Sequence, residues 1–253
     1  MCRLIWRKLL SSLENMLKPA SNNSQIFLVA SNSTDILKNA NGELLDKRLG
    51  GPLFFAERVF DQCNFPYRKA LSQPALVEIT VYEGDEVGKF VEDDKINLPV
   101  FIEEDNLLVT AISPRAVNLE DLLAYKGTTF LDLQSFSRGL GTGSFDDEHF
   151  ITLTSNAIVK GTVSEFSKVS TYFGERFTPK LKLITNGSLG VCVFNKGSHT
   201  DFPVPEVVLA KDTIGAGDTF FAAFISRLVL DESVEDSIIF AQEFTTNFLK
   251  RKI

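Results

Sequence analysis

Histidine, cysteine and excess positive charge are all scarce in this sequence. The two histidines, His149 and His199, lie far apart and are predicted to be surface or loop residues. The three cysteines, Cys2, Cys63 and Cys192, are scattered and have no C-x-x-C spacing. The sequence therefore predicts no histidine-based catalytic triad, no zinc site and no disulfide framework.

The charge balance narrows the possible partners. A formal net charge of −7 at pH 7 disfavours nucleic acid bound by counterion release, and it disfavours anionic membranes. A small anionic ligand remains compatible with this charge, because backbone dipoles can outweigh it locally. No apolar run is long and uninterrupted enough to be a membrane span, so we expect a cytoplasmic protein with a small-molecule partner.

The first residues have a pattern of their own. Residues 1–20 are predicted to form an amphipathic helix, and 19–25 ("PASNNSQ") a polar linker. The helix either packs on its own domain or forms an interface or membrane-surface helix. Its apolar residues at helical spacing are Leu4, Ile5, Leu9, Leu13 and Met16.

The remaining chain, residues 21–253, is predicted to be one α/β domain. Near-continuously hydrophobic runs at 26–30, 128–133 and 181–185 are typical of parallel strands that are covered on both faces. Their alternation with helical patterns predicts a three-layer α/β/α architecture with a mostly parallel, doubly wound central sheet. The predicted helices are 52–62, 116–125, 163–173, 214–230 and 233–250.

Residues 75–111 have a different pattern. They combine strand signals with turn residues and contain no long helical pattern. We therefore expect a reduced lid or an edge sheet within this range.

The stretch "KDTIGAGDTFFAAF", residues 211–224, carries the strongest chemical signal. Gly215, Ala216 and Gly217 have small or no side chains, so they can expose backbone amides at the start of a buried helix. Such amides would stabilise a phosphoryl group during transfer, and Asp218 would accept the proton of an incoming hydroxyl. We expect the helix dipole to keep Asp218 ionised. A tight turn capped by Asp218 is the alternative.

This stretch resembles the C-terminal signature of the ribokinase-like (PfkB-type) carbohydrate kinases over residues 212–223, "DTIGAGDTFFAA". The resemblance implies a ribokinase-like fold. It also implies that Gly215, Ala216 and Gly217 form the anion hole and that Asp218 is the catalytic base.

Two further segments resemble the family in the same order along the chain. "LDLQSFSR", residues 131–138, is similar to a strand-and-turn element that reads D-x-Q-G-x-x-R in some members, or is a strand end with a polar loop. "KGTVSEF", residues 160–166, is similar to the family's N-x-x-E segment, with Thr162 in place of asparagine. The resemblance implies that Glu165 helps to organise Mg²⁺ through water. A solvated surface glutamate is the alternative.

"TNGSLG", residues 185–190, resembles the T-x-G-x-x-G segment that contacts nucleotide in the family, although it also fits a hairpin loop. The resemblance implies that Thr185, Gly187, Gly190 and Thr213 bind ATP.

The substrate side is implied by "SNSTDIL" and "LGGPLFFAERV". Asp35 matches an aspartate that grips sugar hydroxyls, and Gly50 and Gly51 match a turn that lets the ligand approach the backbone. The asparagine that follows this turn in the family is absent, and Phe54 and Phe55 lie nearby instead.

The sequence thus predicts an enzyme, a kinase that uses ATP and Mg²⁺ to phosphorylate an alcohol of a sugar, a polyol or a nucleoside. The "GGP" and "LDLQSFSR" elements resemble the inositol-kinase-like branch. A non-catalytic, nucleotide-binding sensor or assembly protein of the same fold is the alternative, and a generic α/β interaction domain comes third. The oligomeric state and the identity of the substrate stay open.

Overall fold

The computed structural model describes residues 25–82, 85–195, 197–210 and 212–252. The predicted helix over residues 1–20 lies outside these ranges.

The strands are β1 Ile26–Ala30, β2 Ser33–Lys38, β3 Leu44–Gly50, β4 Tyr67–Lys69, β5 Leu71–Gln73, β6 Ala75–Tyr82, β7 Asp85–Glu92, β8 Lys95–Asn97, β9 Asn106–Thr110, β10 Thr128–Asp132, β11 Ala157–Thr162, β12 Leu181–Thr185, β13 Val191–Asn195 and β14 Ser198–Phe202. The helices are α1 Gly51–Gln62, α2 Gln134–Gly139, α3 Asp147–Ser155, α4 Val163–Phe173, α5 Ala216–Leu228 and α6 Val234–Lys250.

A large central sheet organises the molecule. Its strand order is β14-β13-β12-β11-β10-β9-β1-β4, and the pairs from β12 to β4 are parallel. β13 and β14 extend this sheet in antiparallel fashion. Strand β1 pairs with β4 on one side and with β9, which comes later in the chain, on the other. The strand order therefore reverses at β1. The predicted mostly parallel, doubly wound sheet is confirmed.

Helices cover both faces of this sheet. On one face α1, α5 and α6 form a core with the sheet, and Phe221 and Phe224 of α5 are buried there. On the other face the core contains Phe136 of α2, Phe150 of α3 and Phe166 of α4. Burying each of these side chains contributes about 1.5–3 kcal/mol. The predicted three-layer arrangement is therefore confirmed.

A small second sheet, of order β3-β2-β6-β7, lies beside the central one. Its buried face presents Ala75, Val77 and Ile79 of β6, which cluster with Ile112 and with Ile214 just before α5. β5 and β8 form a separate two-stranded sheet. Within residues 75–111, β6 and β7 thus lie in the small sheet, whereas β9 is an interior strand of the central sheet.

The helix predicted over 116–125 is wrong. Only a 3₁₀ turn, Leu119–Leu122, forms there. The Ala116 carbonyl accepts a hydrogen bond from the Ile96 amide (3.0 Å), so the chain is tied to β8 where that helix would begin. Helices α2 and α3 were not predicted. Among the helices in the described ranges, none is long and apolar enough to span a membrane.

Candidate active site

Three neighbouring strands end at one edge of the central sheet. β10 ends at Asp132, β11 at Thr162 and β12 at Thr185, and Thr162 is in register with Thr185. In open α/β sheets, ligands bind outside the carboxyl ends of the strands. This edge is therefore where the predicted chemistry has to be located.

Helix α5 begins with a glycine that the fold requires. Gly215 is its N-cap, with φ of +80°, in the left-handed region that favours glycine. A Cβ at Gly215 would also lie 2.3 Å from the ring of Phe55, which is buried in α1. The turn before α5 is thus packed against α1 as well as against the sheet. In the sequence, Phe55 lies where the family pattern has a different residue nearby. In the structure its ring packs against the turn at Gly215, which is a structural role.

The amides at the start of α5 are unequally available. The Ala216 amide donates to the Thr213 carbonyl (2.9 Å) and is used within the turn. The amides of Gly215, Gly217 and Asp218 have no acceptor among the described residues. The helix N-terminus adds partial positive charge at this point. The predicted anion hole over Gly215, Ala216 and Gly217 is therefore corrected at Ala216, whose amide already has a partner.

Asp218 is the third residue of α5. Its Oδ1 atom is buried and has no hydrogen-bond partner among the described residues. Burial raises the pKa of this carboxyl to about 7, Lys160 acts to lower that pKa, and Asp132 and Glu165 act to raise it. The sequence predicted that the helix dipole keeps Asp218 ionised. Desolvation acts against the dipole and raises the pKa of this carboxyl toward neutral.

A buried ion pair lies next to Asp218. The Lys160 Nζ is 2.8 Å from the Asp132 Oδ2, and the two residues are 4% and 1% exposed. Burial alone would lower the pKa of Lys160, but the carboxylates of Asp132 and Asp218 raise it above its usual range. Lys160 was not among the predicted site residues. The available signal was a lysine inside β11, where the five residues Ala157–Gly161 are all buried.

Thr162 and Glu165 have a local structural role. Thr162 is the N-cap of α4, and its hydroxyl accepts from the Glu165 amide (3.2 Å). The Glu165 Oε2 accepts in turn from the Thr162 amide (2.7 Å), which completes a capping box. One oxygen of Glu165 is thus committed to the start of α4.

An open groove follows the start of α4. It is lined there by Thr162 and Lys168, at the end of β12 by Thr185, and in the following turn by Gly187. Two of the predicted nucleotide-contacting residues therefore share one groove with Thr162 of the capping box. The full lining is Thr162, Val163, Ser164, Ser167, Lys168, Thr185, Asn186 and Gly187.

The other two predicted nucleotide residues lie outside this lining. A Cβ at Gly190 would be 2.1 Å from the Phe202 carbonyl, so this glycine allows β14 to approach the turn. Thr213 lies in the turn before α5, where its carbonyl accepts from Ala216. Because β12 and β13 pair in antiparallel fashion, "TNGSLG" is a hairpin loop, as the alternative interpretation had it.

The predicted substrate residues Asp35, Gly50 and Gly51 lie together. A Cβ at Gly50 would be 1.9 Å from the Asp35 Oδ2, and one at Gly51, where φ is +83°, would be 2.8 Å from the Ser31 carbonyl. The Ser33 hydroxyl donates to the Asp35 Oδ1 (2.6 Å). Burial raises the pKa of Asp35 despite this hydrogen bond.

An ionic cluster connects the small sheet to the turn before α5. Arg48 of β3 lies 3.3 Å from the Asp212 Oδ1. The Lys252 ammonium contacts the same carboxylate and donates to the Ile214 carbonyl (2.7 Å). Sequence analysis did not single out Arg48, Asp212 or Lys252 for this role, since their contacts join distant parts of the chain. The cluster joins β3 of the small sheet to the turn that precedes α5.

Within the described residues, no group of three or more histidine, cysteine, aspartate or glutamate side chains is arranged to bind a metal directly. The predicted role of Glu165 was indirect, through water, and does not require such a group.

Comparison with known proteins is consistent with this architecture. Residues 154–246 match the pfkB family carbohydrate kinase, a range that includes α4, the groove and α5. A comparison with curated protein sequences gave no match. The fold is similar to that of ribokinase from Thermotoga maritima, with 18% identity, TM-score 0.65, and coverage of 89% of this chain and 93% of that one.

Two ligand-bound structures are similar as well. A Burkholderia thailandensis nucleoside kinase in complex with inosine has 13% identity and TM-score 0.69, over 89% of this chain and 91% of that one. Arabidopsis thaliana ribokinase complexed with ribose and ATP has 14% identity and TM-score 0.61, over 89% and 92%. The shared fold and the family match confirm the resemblance to the ribokinase-like (PfkB-type) carbohydrate kinases that residues 212–223 predicted.

Proposed function

We propose that this protein is a kinase that transfers the γ-phosphoryl group of ATP to an alcohol of a sugar, a polyol or a nucleoside. The observation that carries the proposal is the start of α5. There a buried carboxyl oxygen without a partner, Asp218 Oδ1, lies beside backbone amides that have no acceptor among the described residues. The pKa of Asp218, raised to about 7, suits a general base working near neutral pH.

In this mechanism each group has a separate task. Asp218 accepts the proton of the attacking hydroxyl as the new oxygen–phosphorus bond forms and the bond to the ADP oxygen breaks. The amides of Gly217 and Asp218 donate to the phosphoryl oxygens, on which negative charge is spread during transfer. Gly215 has no side chain, and its amide has no acceptor among the residues that the structure describes, so it can join them.

The residues at the strand ends fit ATP and Mg²⁺. Lys168 and the hydroxyls of Thr162 and Thr185 line the groove, where they would bind the nucleotide. Glu165 uses one oxygen for the capping box and would act on the metal through water. This suits Mg²⁺, which keeps several waters and binds mainly through phosphates. When bound, the ion neutralises phosphate charge.

The substrate hydroxyls would bind at Asp35, with Gly50 and Gly51 allowing close approach to the backbone. The related structures contain inosine in one case and ribose in another, which supports a polyhydroxylated substrate. An inositol-like polyol remains within this class.

The test is an ATP-consumption screen of the wild type and Asp218→Asn against sugars, inositols and nucleosides. Turnover that is stimulated by one alcohol and lost in the variant supports the kinase. ATP binding without turnover on any alcohol would instead support the non-catalytic sensor.

A further inference from the structure

Lys160 is a charged residue in an otherwise apolar buried strand. Its side chain ends beneath the first turn of α5, where a Cβ at Gly217 would lie 2.9 Å from the Lys160 Nζ. The ammonium is therefore next to the backbone whose amides face the proposed phosphoryl position. Burying an ammonium group costs free energy unless the group is paired with an opposite charge, so a lysine at this position calls for a structural or functional explanation.

Asp132 anchors this ammonium. Its Oδ2 lies 2.8 Å from the Lys160 Nζ, and its Oδ1 accepts from the Gln134 amide at the start of α2 (3.0 Å). Both oxygens of Asp132 thus have hydrogen-bond partners, which fixes the Asp132 carboxylate. The fixed carboxylate in turn fixes the position of the Lys160 ammonium. The pair joins β10 and β11, which are neighbours in the sheet.

Four charged groups surround the Asp218 carboxyl. After burial itself, Lys160 has the largest effect on its pKa and lowers it, followed by Asp132, which raises it. Glu165 of α4 also raises this pKa, and Arg138 of α2 lowers it. Lys160 is therefore the main group that opposes the effect of burial.

We propose that Lys160 is a positioning residue for the proposed base: its ammonium, anchored by Asp132 under Gly217, favours the anionic form of Asp218, which accepts a proton. The inference rests on the proposed function, since it assigns a task within the same site. An ion pair that only stabilised the fold would need no carboxylate beyond Asp132.

Two variants test this inference through effects of opposite sign. Asp132→Asn removes the carboxylate that raises the pKa of Asp218 most and leaves Lys160 to act on Asp218, so the acid limb of the kcat profile should move to lower pH. The double variant Lys160→Met/Asp132→Asn removes both charges. The effect of Lys160, which lowers the pKa of Asp218 more than Asp132 raises it, is then lost. The acid limb should then move to higher pH. A shift of about one pH unit changes kcat about tenfold on the acid side.

The double variant also limits the loss of stability, because it removes the Lys160–Asp132 ion pair as a whole and leaves neither partner of that pair charged and alone. The same shifts should appear in an NMR titration of the Asp218 carboxyl carbon, assigned with Asp218→Asn. This measurement needs no turnover, so it tests Lys160 even if every alcohol in the screen fails. Opposite shifts in the two variants support the inference. Unchanged titration of Asp218, or shifts in the same direction, would overturn it. If the double variant does not fold, Lys160→Gln/Asp132→Asn replaces it, because two neutral polar side chains can keep a hydrogen bond there, and the same upward shift is expected.

Discussion

In the proposed mechanism, the carboxyl group of Asp218 links stability to activity. Its pKa is raised from 3.8 to about 7 by burial, so the folded state binds a proton that the unfolded state releases between these values. Stability therefore falls as pH rises from about 4 to about 7, and the full cost of the buried charge is present above that range. Active sites commonly retain groups that lower stability in this way.

Replacing Asp218 by asparagine separates the two effects. Asp218→Asn cannot accept the proton, so kcat should fall about 10²–10⁴-fold with ATP affinity nearly unchanged. The neutral side chain also removes a buried charge, and Tm above pH 7 should rise by about 2–4 °C for each kcal/mol recovered. Steady-state kinetics and a melting curve on the same preparation measure both.

Asp236 provides a matched control, because it is likewise the third residue of its helix, α6, and lies on the surface. Asp236→Asn should leave kcat unchanged and lower Tm slightly, since it weakens the contact with the Ser233 hydroxyl. Should Asp218→Asn keep kcat within a few-fold of the wild type, Asp218 is not the base.

The same pKa predicts the pH dependence of the wild type. The proposed mechanism requires the anionic form of Asp218, so kcat should rise with pH, with a midpoint near the pKa of about 7. A carboxylate with an ordinary pKa of 3.8 would give a flat profile over this range. Measuring kcat at saturating substrate between about pH 5.5 and 8.5 decides between them.

The turn from β11 into α4 has both a structural and a proposed functional role. The capping box of Thr162 and Glu165 satisfies two amides at the start of α4. An N-cap residue such as Thr162 contributes about 0.5–2 kcal/mol to stability. Glutamine can replace glutamate in a capping box without its charge. Asparagine can likewise replace threonine as an N-cap.

These substitutions separate the cap from the proposed metal role. Glu165→Gln should keep Tm nearly unchanged and raise the Mg²⁺ concentration needed for half-maximal activity. Thr162→Asn should keep stability, and should keep or improve turnover, because an amide positions a magnesium-bound water better than a hydroxyl. Mg²⁺ titrations at fixed ATP measure both effects. If Glu165→Gln has the Mg²⁺ requirement of the wild type, Glu165 only caps the helix.

The central sheet, the small sheet and the α5 turn together form one ligand-binding unit in the proposed function. The groove lies at the ends of β11 and β12, and Arg48 and Asp212 join the small sheet to the turn. A ligand that binds this assembled edge binds only the folded protein, so it must stabilise the fold by mass action.

Mg-ATP should therefore raise Tm. At a hundredfold excess over its dissociation constant the gain is about 2.7 kcal/mol, or about 5–10 °C. Lys168→Ala, in the groove, should reduce the rise. Lys126→Ala should not, because that exposed lysine precedes β10 at the opposite edge of the sheet. No rise at millimolar Mg-ATP, in differential scanning fluorimetry of the wild type, would contradict every nucleotide-binding interpretation.

Local features were predictable from the sequence. The strands β1, β10 and β12, the helices α1, α4, α5 and α6, and the turn at Gly215 all follow from short-range periodicity and from glycine chemistry. Helix α3 could have been found from Asp146, whose side chain caps it through the His149 amide (2.8 Å). Each of these signals is contained within a few consecutive residues.

The environment of the proposed base was decided by the tertiary structure alone. Asp132, Lys160 and Asp218 are far apart in sequence, and only the parallel pairing of β10 with β11 and the packing of α5 bring them together. The ionisation of Asp218 depends on burial and on these neighbours, so its position at the start of a helix does not determine its pKa. Desolvation and long-range charge depend on distances that a linear pattern does not contain.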